Sequence, residues 1–152
     1  MHHACPHWAE TVEKNKILET QKNEFLSSYL TKIAKRISES LHLTPELLPE
    51  HADHIYKACA FSIAFFDDTK TWCSLLNKEE ILEIEYFGDI INYYTFSYGH
   101  ELNEKLGCVL ISNIVKSVEN YLSGNSTFKA DLKFAHGETL EFLITTLVSL
   151  YI

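Results

Sequence analysis

The chain is poor in positive charge: one arginine, Arg36, stands among 152 residues, and 13 basic side chains face 21 acidic ones, for a formal net charge of −8. A surface of that sign repels phosphodiester backbones and anionic headgroups, which excludes a general nucleic-acid binder and a partner of anionic membranes. No apolar run has the length needed to span a bilayer, and Met1-His2-His3-Ala4-Cys5 offers neither a basic segment nor an apolar targeting core. Three prolines and five glycines are scattered, and no repeat, low-complexity run or long linker divides the sequence. The four cysteines, Cys5, Cys59, Cys73 and Cys108, form no Cys-x-x-Cys pair and no zinc-site pattern, so neither a metal nor another cofactor is expected. His51 and His54 stand one helical turn apart without a third ligand and read as a solvated helix face. His2, His3 and His7 near the terminus are assigned no role.

What is present is enough for a core, since 46% of the residues are hydrophobic and 12% aromatic. From about Lys22 to Leu41 the residues Phe25, Leu26, Tyr29, Leu30, Ile33, Ala34 and Ile37 fall on one stripe, as an amphipathic helix requires. Thr44-Pro45-Glu46 reads as a helix cap followed by proline, interrupted by Pro49, and a second helix is expected from His51 to Phe66. Asn77-Lys78-Glu79-Glu80 has the form of a capping box for a third, with Ile81, Ile84, Phe87, Ile90 and Ile91 inward. Tyr98-Gly99 should end it. A fourth helix carries Leu102, Leu106, Val109, Leu110, Ile114, Val118 and Tyr121 and should terminate at Gly124.

The segment Leu132-Lys133-Phe134-Ala135-His136-Gly137-Glu138-Thr139-Leu140 changes period. Leu132 and Phe134 alternate as in a strand, and Gly137 offers a sharp turn. Beyond it Leu140, Phe142, Leu143, Ile144, Leu147, Val148 and Leu150 make a helix apolar enough to demand burial. A strand-to-helix junction sets side chains at a sheet edge, where the helix N-terminus favours anions. There His136 can hydrogen-bond a phosphoryl oxygen while Glu138 protonates a departing alkoxide. A histidine cap beside a first-turn glutamate that complements the helix dipole accounts for the same two residues.

The His136-Gly137-Glu138 stretch resembles the His-Ala-Glu motif of the multiple inositol polyphosphate phosphatases, in the histidine acid phosphatase branch of the histidine phosphatases, with Thr139-Leu140 and an apolar helix following as in that family. Cys5-Pro6, Val12-Glu13-Lys14-Asn15, Trp72-Cys73-Ser74-Leu75, Tyr98-Gly99 and the Cys108 region with Val118-Glu119 fall in the family's order, so the likeness covers nearly the whole chain. The resemblance implies a mainly α fragment of an α/β histidine phosphatase fold. Residues 7–123 would be the helical subdomain, and 124–152 one strand and one helix of the α/β catalytic core. It implies hydrolysis of phosphomonoesters, with inositol polyphosphates as small-molecule substrates and phosphorylated glycerates beside them. It also implies passage through the endoplasmic reticulum lumen or secretion, with one or two disulfides, a glycosylation sequon at Asn125-Ser126-Thr127, and any signal peptide upstream.

The family's catalytic domain opens with Arg-His-Gly, whose histidine is phosphorylated during turnover, and here no histidine follows an arginine. The chain therefore carries His136 and Glu138 without the nucleophile, reads as a C-terminal fragment ending inside the last helix, and is expected to be inactive alone. Its acidity fits that division, because the basic lining of the pocket would lie outside it. Where relatives carry basic residues before Tyr-Gly, this chain has Thr95-Phe96-Ser97, and His100 is the one residue nearby that could compensate. The competing expectation is a catalytically inert helical protein, a degenerate paralogue that binds a partner or ligand.

Overall fold

In a computed structural model residues 5–150 are described, and they are mainly helical. A helical turn at Pro6–Trp8 (α1) runs on as π-helix over Ala9–Glu13. Then follow α2 (Lys16–Phe25), a π-helical stretch (Leu26–Leu30), α3 (Thr31–Ser40), α4 (Pro49–Phe66), a 3₁₀ turn (Cys73–Leu75), α5 (Lys78–Phe96), α6 (Glu101–Leu122) and α7 (Gly137–Ser149). They pack as two compact units. One joins the residues up to Asn15 to those from Asn92 onward, and the other runs from Lys16 to Ile91. This division by packing does not coincide with the boundary at residue 124 that the resemblance implies.

The Lys16–Ile91 unit buries the stripe expected of its first helix, with Leu30, Ile33 and Ile37 at 0–2% exposure, against Ala52, Ile55, Leu76, Ile84 and Phe87. The capping box forms as read: the Asn77 amide donates to Glu80 Oε2 and the Glu80 amide to Asn77 Oδ1, both at 2.9 Å. Glu80 is then held a second time, because Arg36 reaches it through Nε and Nη2, at 2.5 and 2.7 Å. The lone arginine thus neutralises a buried carboxylate. A disulfide joins Cys59 of α4 to Cys73 of the 3₁₀ turn, whereas Cys5 and Cys108 are free. Pro49 does not interrupt a helix but begins one, as the first residue of α4, where its missing N–H costs no hydrogen bond. Residues 41–48, including Pro45, are not helical.

The other unit is organised by a residue pair that hydropathy does not flag. Trp8 is 1% exposed and stacks on Phe96, with Phe142 edge-on to both rings. Its indole Nε1–H donates to Oδ1 of Asn103 at 2.9 Å, and Asn103 Nδ2 donates to the carbonyls of Ser97 (2.8 Å) and Tyr94 (3.3 Å). Asn103 is wholly buried, and these bonds tie the turn between α5 and α6 to the first helix. His100, at that turn, caps α6 by accepting the Leu102 amide at Nδ1.

Two expectations are not met within these residues. Among the described residues there is no strand, so the one expected at Leu132–Phe134 is not shown. A strand exists through a hydrogen-bonded neighbour, and with none beside it the alternating Leu132 and Phe134 stand 77% and 93% exposed. Nor is α7 buried all round. It packs on α6 through Phe142, Thr145 and Thr146, while Leu140, Ile144 and Leu147 on another face remain 48–55% exposed. A helix buries only the face that meets a partner.

Candidate active site

The site predicted from sequence lies at the start of α7. His136 is its N-cap residue, in extended conformation (φ −71°, ψ 160°), and its carbonyl accepts the first helical bond from Thr139 N at 3.1 Å. Its imidazole makes no capping bond and is exposed, which removes the reading of His136 as a side-chain cap. Glu138 follows at the second helical position, half-buried, the one acidic residue of the first turn. The two groups are thus an exposed donor and a carboxyl beside a helix N-terminus, where amide N–H groups and the dipole favour an anion. Gly137 is not a turn residue. It is the first residue of the helix without positive φ, and a Cβ added there would meet nothing within 4 Å. Alanine, usual at that place in the family it resembles, fits the same backbone.

Two sets of contacts hold α7 in place. The first is its seat on α6: a Cβ on Gly107 would lie 2.0 Å from Thr146 Oγ1 and 2.4 Å from the Phe142 carbonyl oxygen, so glycine alone permits this approach. Thr146 Oγ1 lies within hydrogen-bonding distance of the carbonyls of Glu104 and Phe142. The second pins the run-in to His136. Ser117 of α6 donates to Asp131 Oδ2, and Lys133 Nζ donates to Asp131 Oδ2 and to Asn113 Oδ1, each at 2.7 Å. Lys133 first, then Ser117, holds the Asp131 carboxyl below its ordinary range.

None of these positioning residues was singled out from the sequence. The signal available was Gly107, a glycine in the middle of an apolar helix, which costs helix stability and so marks a close approach. The weaker histidine candidates do not assemble. His51 uses Nδ1 to accept the Leu48 amide at 2.9 Å, and no group of three potential metal ligands occurs among the described residues. His2 and His3 lie outside the described residues. Trp72 is half-exposed and lines an apolar cavity of about 450 Å³ with Leu41, Leu43 and Leu75. No helix of the described residues is long and apolar enough to cross a membrane.

The family model of the histidine phosphatase superfamily (branch 2) matches residues 1–151. Multiple inositol polyphosphate phosphatase 1 of Dictyostelium discoideum is 35% identical over 111 residues, 72% of this chain and 17% of that protein. The Gallus gallus protein of the same name is 24% identical over 147 residues, 92% of this chain and 33% of the relative. A repressible acid phosphatase of Saccharomyces cerevisiae is 27% identical over 148 residues, 93% of this chain and 29% of its own. The chain spans a third or less of the length of these relatives. No solved structure matches it. With nearly every residue inside the match, the chain belongs to the histidine phosphatase superfamily, branch 2.

Proposed function

We propose that this chain supplies the leaving-group side of a phosphomonoester hydrolase site. The observation that carries the reading is the placement of His136 and Glu138 at the N-cap and second position of α7, in a chain that a histidine phosphatase family model matches over residues 1–151. His136 hydrogen-bonds a phosphoryl oxygen. Glu138 gives its proton to the oxygen that leaves phosphorus as the nucleophile bonds to it, and afterwards takes a proton from the water that attacks the phosphoenzyme. The nucleophile is a histidine from outside these 152 residues, because none of the chain's histidines follows an arginine. The names of the relatives support inositol polyphosphates as substrates, and the resemblance in sequence alone adds phosphorylated glycerates as a second class. Residues 7–123 would serve as the helical subdomain beside the pocket. Residues 124–152 would contribute to the α/β core, with Leu132–Phe134 pairing as a strand once a neighbouring strand is supplied. Maturation in the endoplasmic reticulum lumen or secretion goes with this assignment.

The net charge of −8 and the absence of an Arg-His pair favour one other reading, an inert helical protein that binds a partner. The test uses the purified 152-residue chain and the same chain joined to an Arg-His-Gly-bearing family domain, each incubated with inositol hexakisphosphate and with a chromogenic phosphomonoester. The chain alone should be inactive, and the joined protein should turn over in a way that His136→Ala abolishes. Turnover by the chain alone that survives repurification and disappears on His136→Ala would overturn the division of the site. A folded joined protein without turnover would favour the inert reading.

A further inference from the structure

We propose that Asn125 carries an N-linked glycan whose proximal sugars lie in the groove between the end of α6 and the segment that follows it. Asn125-Ser126-Thr127 is an acceptor sequence without proline at its middle position. The fold presents it. Gly124 takes φ +73° and closes α6 in a Schellman motif, its amide donating to the Tyr121 carbonyl (3.1 Å) while the Asn125 amide donates to that of Asn120 (2.9 Å). Asn125 is thereby fixed by its backbone just past a helix end, with its side chain exposed and engaged only through a 3.1 Å bond from Nδ2 to the Ser123 hydroxyl. The residues after it, as far as His136, lie in no helix or strand, so the sequon sits on an accessible, non-repetitive segment.

Two further observations point to a sugar there. The Cys59–Cys73 disulfide is a bond that forms and persists in oxidising compartments, the kind in which asparagine-linked oligosaccharides are added. Asn125 also lines an open cavity of about 770 Å³ whose wall is apolar or aromatic at Val118, Tyr121, Phe128 and Leu132 and polar at Asn120, Lys129 and Asp131. Tyr121, Phe128 and Leu132 are 60–78% exposed. Pyranose rings present C–H faces that pack on aromatic rings and hydroxyls that face water, so a glycan anchored at the rim covers this surface. The modification transfers an oligosaccharide from a lipid-diphosphate-linked donor. The anomeric carbon forms its bond to Nδ2, the bond from that carbon to the diphosphate breaks, the lipid diphosphate leaves with the electron pair, and Nδ2 loses one proton.

The proposal rests on the secretory location suggested above, and the experiment separates the two by directing the full chain into a eukaryotic secretory pathway with a cleavable leader. Peptide-N-glycosidase in heavy-oxygen water should leave an isotopically marked site at position 125. The mobility shift should vanish in Asn125→Gln and in Thr127→Ala but persist in Thr127→Ser. Secreted, disulfide-bonded chain with unmodified Asn125 would overturn the acceptor assignment whatever the native location. The native product found outside the secretory pathway would instead overturn the location. The groove is tested by binding of an environment-sensitive apolar dye, which should rise when the glycan is removed, and rise less in Phe128→Ser. Equal dye binding before and after removal, or a rise unaffected by Phe128→Ser, would refute the seating of the sugars.

Discussion

Replacing Gly107 by alanine should destabilise the unit built on Trp8, α6 and α7, although alanine is the better helix former. In a free helix the change gains about 0.5–1 kcal/mol. Here the new Cβ arrives 2.4 Å from the Phe142 carbonyl oxygen, a backbone atom, and must back off by about 1 Å to reach an ordinary C–H···O separation. It also arrives 2.0 Å from Thr146 Oγ1, whose bonds to the Glu104 and Phe142 carbonyls must then give. Overpacking of this kind costs about 1–3 kcal/mol, and a lost buried hydrogen bond about 1 kcal/mol more. The propensity gain offsets only part of that, so a net loss of about 1–3 kcal/mol is expected. Urea titration followed by Trp8 fluorescence reads this unit, since Trp8 is buried within it while Trp72 is half-exposed; a Trp72→Phe background removes the second signal. Gly88→Ala is the control: it lies in α5, nothing stands within 4 Å of its added Cβ, and it should stabilise by about 0.5–1 kcal/mol. Adding Thr146→Ala to Gly107→Ala removes the side-chain clash but not the carbonyl, so rescue should be partial. Gly107→Ala as stable as the parent, or complete rescue by Thr146→Ala, would refute the reasoning.

In the joined enzyme Glu138→Gln should lower the single-turnover phosphorylation rate by about 10²- to 10⁴-fold for an alkoxide leaving group and far less for an acidic phenol, whereas His136→Ala should slow both. Equal slowing by Glu138→Gln with both leaving groups would remove its role as the acid. Arg36→Ala leaves the buried Glu80 carboxylate without its cation and should cost about 1–3 kcal/mol in urea titrations, while Lys35→Ala, which breaks an exposed ion pair with Glu39, should cost little. Reducing Cys59–Cys73 opens a loop of sequence separation 14 and should lower stability by about 3 kcal/mol on the chain-entropy account, with no effect in a Cys59→Ala/Cys73→Ala background. Asp131 titrates below the ordinary carboxylate range, so its grip on the segment before His136 is complete above that range and is lost as pH falls through the lowered value. Protection of residues 128–135, read as exchange relative to the intrinsic rate that itself slows with acid, should fall as pH drops through the lowered value, and Asp131→Asn should remove that pH dependence.

Much of the helical layout was legible because it depends on neighbours in sequence. The capping box at Asn77–Glu80 and the glycine stop at Gly124 are satisfied within a few residues of chain, and the stripe from Phe25 to Ile37 follows from 3.6 residues per turn. His136 and Glu138 were singled out as candidates the same way, as a pair beside a change of period, together with a likeness to a family. Pro49 shows the limit of such reading: a proline can end one helix or begin the next, and the local sequence permits both.

What sequence could not decide was which surfaces meet. The apolar side chains of α7 outnumber what α6 can cover, so hydropathy marked the whole helix while packing chose Phe142, Thr145 and Thr146. Leu132 and Phe134 carry a strand's alternation, but the ladder that makes a strand comes from another segment. The bond from Trp8 to Asn103 spans 95 residues, and Arg36 finds Glu80 across 44. Local sequence determined where helices begin and end and which residues stand as candidates for chemistry. Tertiary structure alone decided which polar groups are buried together and how near α7 can approach, because those depend on atoms that become neighbours only after folding.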